Sequence, residues 1–157
     1  MTNSPKFIVA LLIPLAIGGI SGYITATNVE GWFSTIQKPS FNPPNAVFAP
    51  VWTTLYFLMG IGLFLVWKQP KTTYCRTTAI AFFIVQLALN FFWSILFFNL
   101  HHPALAFLDI VLLWISILLM TIFFYKVKPL AGLLQIPYIC WVSFASVLNY
   151  SIWQLNK

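Results

Sequence analysis

The chain has 157 residues, of which 61% are hydrophobic and 6% charged, with a net charge of +6 and a mean hydropathy of +0.90. Soluble domains carry about a quarter of their residues as Asp, Glu, Lys and Arg, so a water-soluble globular fold is excluded and residues 1–157 are read as a single integral membrane domain. The surplus positive charge is divided among short connections and forms no patch, so it is a topological signal and no nucleic-acid partner is expected.

A membrane-spanning helix needs roughly 20 apolar residues. The uncharged stretches predict five of them, over residues 7–26, 47–67, 77–99, 104–125 and 130–153. The expected fold is therefore an all-α bundle of five transmembrane helices, with a long proline-rich loop between the first and the second. The first apolar run is too long for a signal-peptide core of roughly 7 to 15 residues and is kept as a span. Within it Gly18 and Gly22 form a G-x-x-x-G, widened by Gly19 and Ser21. Such a face signals close helix packing, inside the bundle or at a seam between two copies.

The loop runs from Trp32 through Pro39, Pro43 and Pro44 to Pro50. Each proline fixes φ and removes a backbone donor, which makes the segment a stiff lid and Pro50 a place from which the second span can start. Trp52 and Tyr56 come next, one turn apart on the same helix face. An ordered loop set over an aromatic helix mouth predicts a capped binding pocket, since a mere connection would be short and polar.

In the third span Gln86, Asn90, Trp93 and Phe97 recur at helical spacing and predict an interior stripe of amides and aromatics, one wall of that pocket. His101 and His102, adjacent at a helix junction, are expected to be interfacial polar caps. Asp109 is the single acid within a span; it must face protein, as a ligand or proton contact or as a tie between helices. The fifth span carries Pro137, Tyr138, Trp141, Ala145, Leu148 and Asn149. Pro137 is expected to loosen this helix near mid-bilayer, and Trp141 lies deeper than the interfacial belt where Trp32 and Trp153 belong. A buried indole needs a partner for its N–H, so Trp141 is expected to face Asn90 or a ligand. Cys75 and Cys140 sit at different depths and are expected to be free thiols. No metal-ligand cluster, acid pair or nucleophile with its base is present in the sequence, so no metal, no cofactor and no hydrolytic chemistry is expected.

These residues resemble a known family. The segment Lys38-Pro39, Pro43-Pro44, Val47-Phe48, Pro50-Val51-Trp52-Thr53, Leu55-Tyr56 and Met59-Gly60 is similar to the signature of the translocator protein or tryptophan-rich sensory protein family (TspO/MBR). So are Leu89-Asn90 with Trp93-Ser94 and Phe97-Phe98, then Asp109, then Pro137-Tyr138 with Trp141 and Leu148-Asn149. The resemblance implies a five-helix bundle, commonly a homodimer, that binds protoporphyrin IX or haem in a cavity beneath the first loop, with sterols and isoquinoline-type compounds as further ligands of members. By position it places Trp52, Asn90, Trp93, Trp141, Ala145 and Leu148 around the cavity. Trp32, Pro43, Pro44, Val47 and Phe48 come with the lid, and Tyr56 and Asp109 complete the expected ligand-binding set. Receptor-like or transporter-like handling of tetrapyrroles is the expected function, for sensing, transport or disposal. The alternative is light- and oxygen-dependent porphyrin degradation, with Trp52 and Trp141 as the electron-rich indoles. Phe41 and Ala46 stand where the family commonly has tryptophan, so turnover by that second route is expected to be slow. Tyr150 is followed by a basic residue only at Lys157, beyond the spacing of a sterol motif, and tight sterol binding is not expected.

Charge orients the bundle. Lys6, Lys68, Lys71, Arg76, Lys126 and Lys128 fall at one end of a five-span chain, against Lys38 and Lys157 at the other. The positive-inside rule then puts the N-terminus in the cytoplasm and the lid outside; a bacterial cell membrane is the expected location. In a variant lacking Cys75 and Cys140, single cysteines placed at 38–46 are expected to react with an impermeant maleimide added to intact cells. Reaction only after the cytoplasmic side is opened would reverse the orientation.

Overall fold

Inside a bilayer each backbone N–H and C=O must find its partner within the protein, and an uncharged run does so most simply as helix. The computed structural model describes residues 3–157, and among them it holds helices and no strand. In chain order these are α1 (Asn3–Val29), α2 (Trp32–Thr35), α3 (Asn45–Trp67), α4 (Arg76–Ser94), α5 (Pro103–Val127), α6 (Pro129–Leu133) and α7 (Ile136–Leu155). A π-helical turn, Ile95–Asn99, continues α4, with Leu100 N–H bonded to the Ile95 carbonyl at 2.8 Å. Five spans are long and apolar enough to cross a membrane: α1, α3, α4 with its π turn, α5, and α6 with α7. The five expected spans are all present, with α1 extending beyond the expected limits of 7–26 at both ends.

Two boundaries differ from the sequence expectation, and both turn on a proline. The second span starts at Asn45, before Pro50, because Pro44 at φ −56° already takes the N-cap position and its carbonyl receives the Val47 N–H at 2.9 Å. Pro50 is inside the helix, and the lid is correspondingly shorter. The fifth span is interrupted at Leu134 and Gln135, and Pro137 lies in the first turn of α7, so it does not loosen a continuous helix near mid-bilayer. A proline at 137 has no N–H to offer the Leu133 carbonyl, so α6 ends at Leu133 and the proline opens the next helix, where its missing donor is harmless.

Helix contacts are close where glycine permits it. A Cβ on Gly60 would lie 2.9 Å from Leu11 Cα and 3.0 Å from the Ala10 carbonyl oxygen. Pro14 cannot donate to that carbonyl, so α3 presses its glycine against the one free carbonyl of this turn of α1. Gly18 bears on the Tyr56 ring, which assigns it to packing within the bundle, whereas a Cβ on Gly22 would meet nothing within 4 Å. The α4–α5 seam is a stack of Phe82 on Phe123 and Phe83 on Phe124, at 5.5 and 6.2 Å between centroids. Between α5 and α7, Trp114 donates its indole N–H to Ser143 Oγ at 2.8 Å and Phe107 packs on Tyr150 and Trp153.

Gly60→Ala is expected to lower the unfolding midpoint in detergent, because overpacking backbone against backbone costs about 1–3 kcal/mol. Gly19→Ala, whose Cβ meets nothing within 4 Å, should leave the midpoint unchanged.

Candidate functional site

The lid-end half of the bundle encloses a cavity of about 630 Å³. Its walls come from α1 (Gly18, Gly22, Thr25), α3 (Phe48, Trp52, Tyr56), α4 and its π turn (Asn90, Trp93, Phe97) and α7 (Trp141, Ala145, Leu148). Glu30, at the rim, is the one charged residue among those that line it. A chamber of this size, apolar and aromatic with a few placed polar groups, is typical of a site for a drug-sized or cofactor-sized molecule.

Its floor is a chain of hydrogen bonds. The Tyr56 hydroxyl donates to Asn90 Oδ1, Asn90 Nδ2 donates to the Tyr138 oxygen at 3.0 Å, and the Tyr138 hydroxyl donates to Gln86 Oε1 at 2.8 Å. Three spans are joined by it, and Gln86, Asn90, Tyr56 and Tyr138 are all buried. The spacing of Gln86 and Asn90 along α4 points both amides inward, as the sequence stripe predicted. Higher in the wall, Trp93 donates its indole N–H to Asn149 Oδ1 at 2.9 Å, and Asn149 Nδ2 returns to the Pro103 carbonyl at 2.8 Å.

Tryptophan positions differ in how well they are held. Trp52 stacks on Tyr56 at 5.6 Å and meets Tyr138 edge-on at 6.3 Å. Trp141 packs against Phe48 and Phe144 at 5.9 and 5.5 Å, and its buried indole nitrogen has no partner. It does not pair with Asn90, whose Oδ1 accepts from Tyr56 and whose Nδ2 donates to Tyr138. A more open, lipid-facing groove between α3 and α7, lined by Pro50, Thr54, Pro137 and Cys140, lies on the other side of the Trp141 ring.

The lid is α2 and the strap that runs on from it. Phe33 is buried against Phe97 and Phe98, at 6.1 and 5.5 Å, and Trp32 lies flat on His101 at 4.7 Å. Further on, Asn156 clamps the strap at Gln37, accepting its N–H and donating to its carbonyl, each at 2.9 Å. Lys38 sits over the Phe33 ring, 4.8 Å from its centroid.

Phe48, Trp52, Tyr56, Asn90, Trp93, Trp141, Ala145 and Leu148 therefore come together on one cavity. Trp32 caps Phe97 from above, Pro43 and Pro44 lead into α3, and Val47 is exposed on that helix's outer side. Asp109 is buried on α5, outside the cavity wall, with Oδ2 unpaired. What the residue pattern alone missed is the α1 wall. The glycines of the first span were legible as small residues, but the sequence carries no sign that Gly22 borders a space and not a neighbouring helix.

The TspO/MBR family matches residues 10–154. A tryptophan-rich protein TspO of Archaeoglobus fulgidus is 42% identical over 154 residues, covering 98% of this chain and 99% of that protein. The translocator protein of Sus scrofa is 35% identical over 146 residues, 90% of this chain and 86% of its own length. A tryptophan-rich sensory protein of Cereibacter sphaeroides is 33% identical, with 81% and 78% of the two chains covered.

Asn90→Ala takes the acceptor from the buried Tyr56 hydroxyl and a donor from that of Tyr138, which costs about 1–3 kcal/mol. Unfolding in mixed micelles should show that loss. Asn156→Ala, at the exposed clamp, should cost less.

Proposed function

The chain belongs to the TspO/MBR family, and from that premise we propose that it binds a tetrapyrrole of the protoporphyrin IX or haem type in the lidded cavity. The observation that carries this reading is the gathering of Trp52, Trp93, Phe97 and Trp141 around one chamber of about 630 Å³, whose one charged lining residue, Glu30, stands at the rim. A porphyrin is flat, apolar across its ring, and acidic at one edge. Indole and phenyl faces suit the ring, while the carboxylates suit the lid end, where Lys38 and the headgroups lie. Binding of this kind serves receptor-like sensing, transport or disposal, with the basic end of the bundle in the cytoplasm.

Light-dependent degradation is the second reading, favoured by one observation: the Trp52 indole lies against the Tyr56 ring at an interplanar angle of 29° and lines the cavity. An electron-rich indole in contact with a photoexcited ring can donate an electron to it, and oxygen is the oxidant such a reaction needs.

Trp141→Phe is expected to weaken porphyrin binding by about fivefold, on the order of 1 kcal/mol, for lost ring area. Trp153→Phe should not, since that indole packs on Phe107 and Tyr150 away from the cavity. Absorbance titration in detergent measures both, and equal losses would remove Trp141 from the site. Under illumination, Trp52→Phe is expected to keep most of the binding and to lose most bleaching above that of free porphyrin. Equal bleaching by this variant and the wild type, both above the control, would overturn the role of Trp52.

A further inference from the structure

We propose that the cavity is loaded sideways from the bilayer, through a seam between α1 and α3 that parts toward the lid; this rests on the reading that the chamber holds a flat apolar ligand. The two helices are in tight contact through most of the opposite half. Phe7 meets Phe64 edge-on at 5.1 Å, Gly60 is pressed on Ala10 and Leu11, and Gly18 on the Tyr56 ring. Beyond Gly18 the contact loosens, with Ser21 still buried in the seam. A Cβ on Gly19 or Gly22 would meet nothing within 4 Å, and Ala49 and Thr53, which face α1 by helical periodicity from Tyr56 and Gly60, are exposed.

Gly19, Gly22, Ala49 and Thr53 all line the cavity and are all exposed, so along this seam the cavity wall and the molecular surface are the same residues. Their side chains are among the smallest available, and none spans the gap. Two other sides are closed, although the opening continues past the seam to Glu30 and Asn45, exposed lining residues at the lid end. Above, the lid is held by the Phe33 seat and by the two hydrogen bonds between Gln37 and Asn156. Between α3 and α7, Phe48, Trp141 and Phe144 fill the space between the cavity and the lipid-facing groove. A macrocycle dissolved among acyl chains therefore meets an open slot at its own depth, while one arriving from water meets a latched strap.

The test uses two cysteine pairs in a Cys75→Ser, Cys140→Ser background. Bridging Gly22→Cys to Ala49→Cys with a flexible, reducible bifunctional thiol reagent is expected to slow protoporphyrin uptake from vesicles by about tenfold or more, with recovery on reduction. Bridging Gln37→Cys to Asn156→Cys, which locks the lid, should change the rate by less than about twofold. Slowing by the lid bridge and not by the seam bridge would overturn the proposal. A second measurement needs no porphyrin. Bimane on Ala49→Cys, in phosphatidylcholine vesicles with mid-chain brominated acyl groups, should be quenched nearly as strongly as bimane on Phe57→Cys at the lipid-facing surface. Quenching there without any porphyrin binding would support the seam and reject the tetrapyrrole reading; no quenching at Ala49→Cys would reject the seam itself.

Discussion

The buried chain from Tyr56 through Asn90 and Tyr138 to Gln86 is the constraint on which the rest of the bundle depends. In lipid, apolar helix faces gain little by leaving the solvent for one another, so association rests on close packing and on polar groups that have no other partner. This chain ties α3, α4 and α7 at one depth. It engages both ends of the Asn90 amide, and so it sets both the spacing of the helices and the floor of the space above them.

Above that floor the helices are held apart instead of together. Indole, phenol and phenyl rings too large to interdigitate fully occupy the walls, and the Phe33 seat and the Asn156 clamp close the top without filling the interior. Below it, glycine reverses the balance: Gly60 and Gly18 bring α1 onto α3 until backbone and ring touch. A single pair of helices is thus sealed at one end and parted at the other, and the change occurs within one turn of Gly18.

Much of this was legible in the amino acids. Uncharged runs gave the five spans, because bilayer thickness and the lack of competing hydrogen bonds leave helix as the only solution. The stripe from Gln86 through Asn90 and Trp93 to Phe97 gave an interior face by periodicity alone, and its last three members form one wall of the cavity. Less legible was which of several prolines governs a boundary. Pro44 and Pro50 are equally good helix openers in isolation, and the choice between them depends on where the lid ends. Pro137 marks the break in the fifth span correctly but lies after it. The partner of the Trp141 indole was out of reach for another reason: Asn90 was a sound candidate until both its ends were claimed by tyrosines from other helices, a competition settled in three dimensions.

The π turn at Ile95–Asn99 divides the third span into two rigid pieces. Below it lie Gln86 and Asn90 with their bonds to the floor; in and after it lie Phe97, Phe98 and His101, on which Phe33 and Trp32 rest. A wide turn is one residue away from ordinary α geometry, and relaxing it would rotate the lid-side piece by about 100° with little change in length. The same span therefore serves both the floor and the seat of the lid, from two pieces set off from each other by that turn.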